Sequence, residues 1–406
     1  MSFLFCAIYA RLGQRYLVLG AIILLIANTN AYSFIISLSL ALFIVLDAQK
    51  QPRWRLPARL VSGLAIAGFG WIIAGLQIMR GSLPSIFDAL GLQAAANGGP
   101  TLTAASSGVI LGAAPLLPER ADRFVDAIAD IWKSYTAVPA ISRPWFWNSN
   151  VLDILSERFD TLTLYGVPIG TCIAFVLSLV LVFAFAALFS SDRAVVLTYL
   201  FGTSALVLLK AVVYNTPFAR HWGHFFILLI ICFWLMEVRA VSRHQAPSTS
   251  QNRLRRLLTV LLCLQAIAGV YAASLDYLRP FSAGEAAAAF MQEKELDELP
   301  IFGSRLREAS VISGYLDVPI YYPEIQQTGS FWTYKNREIE DQEELVRQAE
   351  DRAEDIEGDQ LLLVLSNPLI APQSATLTFQ ELARFEDTIS LEELYLYLAQ
   401  RPEASQ

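Results

Sequence analysis

Residues 210–224, KAVVYNTPFARHWGH, carry the densest set of side chains able to act on a ligand: Lys210, Tyr214, Arg220, His221 and His224. Two cations and two imidazoles at one membrane face suit a lipid phosphate or pyrophosphate, with Arg220 as a planar fork of donors and Lys210 as a point charge. The same residues also suit a plainer role, in which basic side chains at the ends of membrane spans snorkel to the headgroups. His221 and His224 have no third ligand that the sequence identifies, so no metal site is assigned.

A second group ends the run RPWFWN at 143–148, where Trp147 and Asn148 follow a phenylalanine flanked by tryptophans. Such a run serves either as an aromatic belt at the headgroups or as the wall of a lipid or sugar site, since aromatic faces pack on both. Asn28, Thr29 and Asn30 read as a helix cap and turn. The chain has no nucleotide-binding loop, no GxSxG, no HExxH and no paired carboxylates within an apolar run, so no motif names a reaction. Cys6, Cys172, Cys232 and Cys263 all lie in apolar stretches, which suggests neither a disulfide framework nor a zinc site.

The elements that must position these groups are set by hydropathy. Of 406 residues, 55% are hydrophobic and 17% charged, against about 25% charged in a soluble domain. Lipid is therefore the solvent for much of the chain. Residues 1–278 hold 20 Lys and Arg against 12 Asp and Glu, whereas residues 279–406 hold 10 against 25. An acidic tail of net charge −15 is a poor surface for phosphodiester backbones, which excludes nucleic acid as a partner.

A crossing helix needs about 20 apolar residues. About seven spans are predicted, over 12–28, 31–46, 60–79, 165–188, 194–214, 222–238 and 257–277. Arg11 and Arg15 before the first pair, and Lys50, Arg53, Arg55 and Arg59 after it, favour a hairpin there. Basic residues then keep to one side, around Arg193 and from Arg239 to Arg256, which is taken as the cytosol. The loop 80–164, the Arg220 loop and the tail 279–406 are expected outside, in the periplasm if the membrane is a bacterial inner membrane. The N-terminus has no basic region before its apolar run, which argues against a cleaved signal peptide.

Within the loop, residues 90–120 are rich in small residues and are expected to be mobile or partly embedded in the membrane. Over 121–135, apolar Phe124, Val125, Ile128, Ile131, Trp132 and Tyr135 recur at three and four, predicting an amphipathic helix at the interface or over a cavity. In the tail, LLLVL flanked by turn residues predicts a central strand, and an acidic helix is predicted over 338–357. TFQELARFE at 378–386 should precede a closing helix. The fold class is thus an α-helical polytopic membrane protein with a small C-terminal α/β domain.

The succession RYLVLGAIILLIANTNAYSFIISLSLALFIVLD, RPWFWNSN, ARHWGHFFILLIICFWL, and a last span leading through SLDYLRPFSAGEAAAAF into VISGYLDVPIYYPE resembles bacterial GT-C-type membrane glycosyltransferases. Within that group the likeness is to the dolichyl-phosphate-mannose protein mannosyltransferase-like families, in a cyanobacterial-like branch. The resemblance implies a sugar taken from a polyprenyl-phosphate donor at the external face, with a donor-phosphate role for Arg220, His221 and His224. It also implies a general-base or metal-binding carboxylate in a first external loop. Met1 stands where a middle helix of that family would be ending, so an N-terminally shortened chain without that acid is expected, and no catalytic residue is assigned. A divalent metal is expected only if the missing part is supplied. The alternative is a non-catalytic membrane protein that binds lipid-linked sugar or a protein partner through its external domain. A transporter should show paired repeats with broken helices, and none is evident. The sequence sets no oligomeric state.

Overall fold

A computed structural model describes residues 15–48, 57–90, 117–141, 146–159, 161–214, 219–242, 248–330, 339, 341–356, 358–386, 388–390 and 392–402. Among these, six helices are long and apolar enough to cross a membrane. The helices run in chain order from α1 (Tyr16–Ala27), α2 (Ala31–Ala48) and α3 (Ala58–Leu90) to α4 (Leu117–Tyr135) and α5 (Val151–Arg158). There follow α6 (Ile169–Leu188), α7 (Arg193–Val212), α8 (Ala219–Ser242) and α9 (Thr249–Leu278). The six candidate spans lie in α2, α3, α6, α7, α8 and α9. The chain is a helical polytopic integral membrane protein.

The expected seventh span, 12–28, is not among them. Its described part, α1, has 12 residues, about 18 Å at 1.5 Å per residue, well under the ~30 Å hydrocarbon core. Residues 12–14 lie outside the described residues, as do 91–116 of the small-residue stretch. The expected loop 80–164 begins later, since α3 continues to Leu90, and it holds α4 and α5.

Two helices rather than one fill the stretch 16–48 because Asn28–Asn30 supply a turn with its own hydrogen bonds. Asn28 Nδ2 donates to the carbonyl of Leu24 at 2.8 Å, and Asn30 Oδ1 accepts from the Ser33 amide at 2.8 Å, capping α2. Asn28 also reaches Gly70 O of α3 at 3.2 Å. There α1 and α3 approach so closely that a Cβ on Gly63 would stand 2.2 Å from the Tyr16 carbonyl oxygen. Membrane helices pack by such contacts, because lipid offers no hydrophobic drive between them.

The ends of α2, α7 and α8 alternate. At one end Arg239, late in α8, pairs with Asp192 at 2.5 Å and with Asp47 near the end of α2, while Asp192 caps α7 by accepting from Ala194 N. Arg255 of α9 pairs with Glu237 of α8 at 2.5 Å. At the other end Tyr32, early in α2, packs against Tyr214, His221 and His224. α7 thus runs antiparallel to α2 and α8, and α9 antiparallel to α8.

By internal contacts the chain divides between Val270 and Tyr271. The second unit contains α10 (Gly284–Glu293), α11 (Leu306–Leu316) and α12 (Gln342–Asp355) with a six-stranded sheet. Its strands are β3 (Ile301–Gly303), β4 (Ile320–Tyr322), β5 (Gln327–Gly329), β6 (Gln360–Leu365), β7 (Thr378–Phe385) and β8 (Leu394–Gln400), after a small β1–β2 hairpin (Thr163–Leu164, Val167–Pro168) in the first unit. The order is β5-β4-β3-β6-β8-β7, with β3 parallel to both β4 and β6 and the other pairs antiparallel. Leu362 and Val364 of β6 face a core shared with α10 and α11, and Leu361, Leu363 and Leu365 face one shared with α12.

The central strand at LLLVL is therefore as predicted. The closing helix is instead β8: Leu394 and Leu396 pack on one face while Tyr395, Tyr397 and Ala399 pack on the other. A strand buried on both faces loses the simple polar alternation that marks a half-exposed one. Residues 331–338 lie outside the described residues, as do 340 and 357, so the acidic helix expected over 338–357 is described as α12, Gln342–Asp355.

Candidate functional site

The first unit is organised around α4. Its apolar repeat predicts one buried stripe, yet the structure buries a wider face, in which Ala127, Asp130 and Ser134 accompany Ile131 and Tyr135. Small residues at Ala127 and Ala129 let α4 enter among α6, α7 and α8 instead of lying over them. Ser178, halfway along α6, accepts a hydrogen bond from Trp132 N at 2.8 Å and donates to Ala129 O at 3.3 Å. Ser134 Oγ accepts from Phe226 N of α8 at 3.0 Å, and Gln265 of α9 donates to Ser134 O at 2.8 Å. Tyr135 meets Tyr199 hydroxyl to hydroxyl at 2.9 Å, edge-on to Phe185. Of the two placements expected for this helix, at the interface or over a cavity, the first gives way to one inside the bundle.

After α4 the chain turns back rather than crossing. Asn150 Nδ2 donates to Thr136 O at 2.8 Å and Val151 N to Val138 O at 2.8 Å. Asn150 also caps α5, in a reciprocal box with Asp153.

Beneath the Arg220 end of the bundle sits a cluster of four charges. Lys210 Nζ lies 2.9 Å from Asp130 Oδ2, with the two side chains only 3% and 7% exposed. Lys133 Nζ lies 3.7 Å from Asp130 and 3.1 Å from Asp153, and stands 5.3 Å from the ring centre of the buried Trp222. Two carboxylates and two ammoniums cancel, which is the condition for keeping ionised groups in a low-dielectric interior. The cluster joins α4, α5 and α7 and touches α8 through Trp222.

The residues singled out in the sequence fall around this cluster in two sets. Tyr214, His221 and His224 come together on Tyr32, with ring centres 6.0, 5.1 and 4.7 Å away. Arg220 is exposed in the first turn of α8 and donates from Nε to His221 Nε2 at 3.3 Å, while His224 Nδ1 donates to the His221 carbonyl at 3.1 Å. Lys210 belongs to the other set, turned inward to Asp130. Trp147 and Asn148 lie in a short 3-10 turn (Phe146–Asn148), half-buried, with Trp147 edge-on to the buried Phe146. Residues 142–145 lie outside the described residues.

Asp130 is the residue that sequence reasoning missed. Its signal was the series Ala127, Asp130, Ser134 at helical spacing beside the apolar stripe, small and polar where a solvated face would carry longer charged side chains. Compared with family models, curated proteins and solved structures, the chain matches none of them.

Proposed function

We propose that this bundle binds the phosphate of a polyprenyl-phosphate-linked sugar at its Arg220 end, the donor-binding step of a GT-C-like glycosyltransferase. The observation that carries the reading is the placing of exposed Arg220 in the first turn of a 24-residue helix beside His221 and His224. The first turn of a helix presents unpaired amides and the positive end of its dipole, both suited to a phosphate. A lipid tail has apolar surface to follow, including exposed Val176, Val180 and Phe183 on α6. In this reading Lys210 acts as a positioning residue, holding α7 against α4 through Asp130. The Arg220 end faces the periplasm of a bacterial inner membrane, because Arg193, Arg239, Arg255 and Arg256 mark the opposite end as cytosolic. Sugar transfer also needs a carboxylate that touches substrate, and Asp130 is engaged with Lys210, so the reading stops at binding.

The test is affinity for a polyprenyl-phosphate sugar, measured with the protein in nanodiscs. Hydrogen bonds to charged groups contribute about 1.5–3 kcal/mol, so Arg220→Ala should weaken binding at least about tenfold, with unchanged helix content. Equal affinity for variant and parent removes the assignment.

A further inference from the structure

In the C-terminal unit the chain lays down β3 first, goes through α11 to β4 on one side, and later places β6 on the other side of β3. The two crossover helices cover opposite faces, α11 packing with Ile301 and Ile320, and α12 with Phe302 and Leu363. At its carboxyl end β3 runs into α11 on one face, whereas β6 runs into a loop held against α12 on the other, where Ile370 bonds Gln342, so the chain leaves the two strands in opposite directions. In open α/β sheets such a reversal opens a crevice, and ligands bind there.

A cavity of about 210 Å³ occupies this position, lined by Ser304 and Arg305 after β3, Ser366 and Asn367 after β6, and Asp341 and Gln342 at the start of α12. Three observations describe its chemistry. Ser366 Oγ is buried and, among the described residues, has no hydrogen-bond partner, a state that is destabilising in a native fold and so points to a ligand hydroxyl or amide. The positive helix ends are already occupied by the protein's own carboxylates: Glu324 accepts from Ser304 Oγ at 3.0 Å and Arg305 N at 2.5 Å, and Asp341 accepts from Glu343 N at 3.0 Å. An incoming anion would meet those charges. Finally, Leu345 and Leu365 give the cavity an apolar wall.

Hydroxyl, amide, carboxylate and guanidinium groups, the last two of opposite charge at Asp341 and Arg305, stand beside an apolar wall and match a ring with hydroxyls around its edge and C–H groups on its face. We propose that the crevice at the carboxyl ends of β3 and β6 is a binding site for one neutral monosaccharide. The loop after β6 is held for this purpose from α12, since Gln342 accepts from Ile370 N at 3.0 Å and donates to Ile370 O at 2.9 Å. The site stands independently of the phosphate-binding reading of the membrane unit.

The test uses the full chain in nanodiscs and ligand-observed NMR, with glucose, mannose, galactose, N-acetylglucosamine and inorganic phosphate as separate probes. At least one sugar should bind saturably and should not be displaced by phosphate. Ser366→Leu, which fills the cavity, and Asn367→Ala, at an exposed position, should each raise Kd tenfold or more, while Arg220→Ala leaves it unchanged. The proposal is overturned if none of the four sugars binds saturably, if phosphate displaces the sugar, or if Asn367→Ala binds as the parent does. Loss of sugar binding in Arg220→Ala would also overturn it, by moving the sugar to the membrane unit.

Discussion

Replacing Asp130 by asparagine should destabilise the bundle more than replacing Lys210 by methionine, and the double replacement should be milder than the two summed. Asp130 faces two ammoniums, Lys210 at 2.9 Å and Lys133 at 3.7 Å, so Lys133 stays beside it when Lys210 is lost. Stranding one member of a buried pair costs about 3–5 kcal/mol. Asp130→Asn, which takes the carboxylate 2.9 Å away from a Lys210 side chain only 3% exposed, belongs at the upper end of that range. Lys210→Met belongs at or below its lower end, since Lys133 compensates in part and methionine fills the stem's volume. Both replacements together remove the mismatch, so the coupling should reach about 2 kcal/mol or more, at the upper part of what contacting pairs show. Reversible unfolding in mixed micelles, followed by tryptophan fluorescence, measures all four proteins. Additive effects within about 0.5 kcal/mol, or single variants each costing under about 1 kcal/mol, would refute the burial of this pair and the embedded placement of α4.

Three further outcomes are expected. Gly63→Val should lower thermal stability by about 1–3 kcal/mol, the usual cost of overpacking, because its Cβ would meet the Tyr16 carbonyl oxygen at 2.2 Å; a neutral result in differential scanning fluorimetry would contradict the close crossing of α1 and α3. Arg239→Met leaves Asp47 and Asp192 facing each other and should destabilise more than Arg239→Lys, read by the same assay. Glu350 in α12 is held below the ordinary glutamate value of 4.5 by Ser374 Oγ first, and also by Thr376 and Ala375. A lowered folded pKa gives stability that is full above the unfolded value and is lost as pH falls through the folded one. Hydrogen exchange of the sheet should therefore separate Glu350→Gln from the parent at pH 7, with the two converging below about pH 4.5.

Long apolar runs made the spans legible: α2, α3, α6, α7, α8 and α9 each follow from composition alone, and the Asn28–Asn30 turn from cap chemistry. What failed at α4 was its depth. Periodicity identifies a helix with two faces, but Asp130 and Ser134 give their polar face to partners 80 and 92 residues away, Lys210 and Phe226, and no local pattern records that distance. The same limit hid the inward turn of Lys210, which in sequence belongs with Tyr214 and Arg220. In the tail, LYLYLA at 394–399 offers apolar residues at every position, and such a run does not distinguish a doubly covered strand from a helix.

The reentry of α4 sets an order of events during biosynthesis. Asp130 leaves the ribosome 80 residues ahead of Lys210, a delay of about 4–16 s at 5–20 residues per second. Until α7 has been inserted, that carboxylate lacks the ammonium that will stand 2.9 Å from it and keeps the more distant Lys133 of its own helix, 3.7 Å away and shared with Asp153, and so the helix waits at the water boundary. Its docking is then a late, post-insertion step, and a nascent chain arrested short of residue 210 should leave the segment open to aqueous labelling reagents.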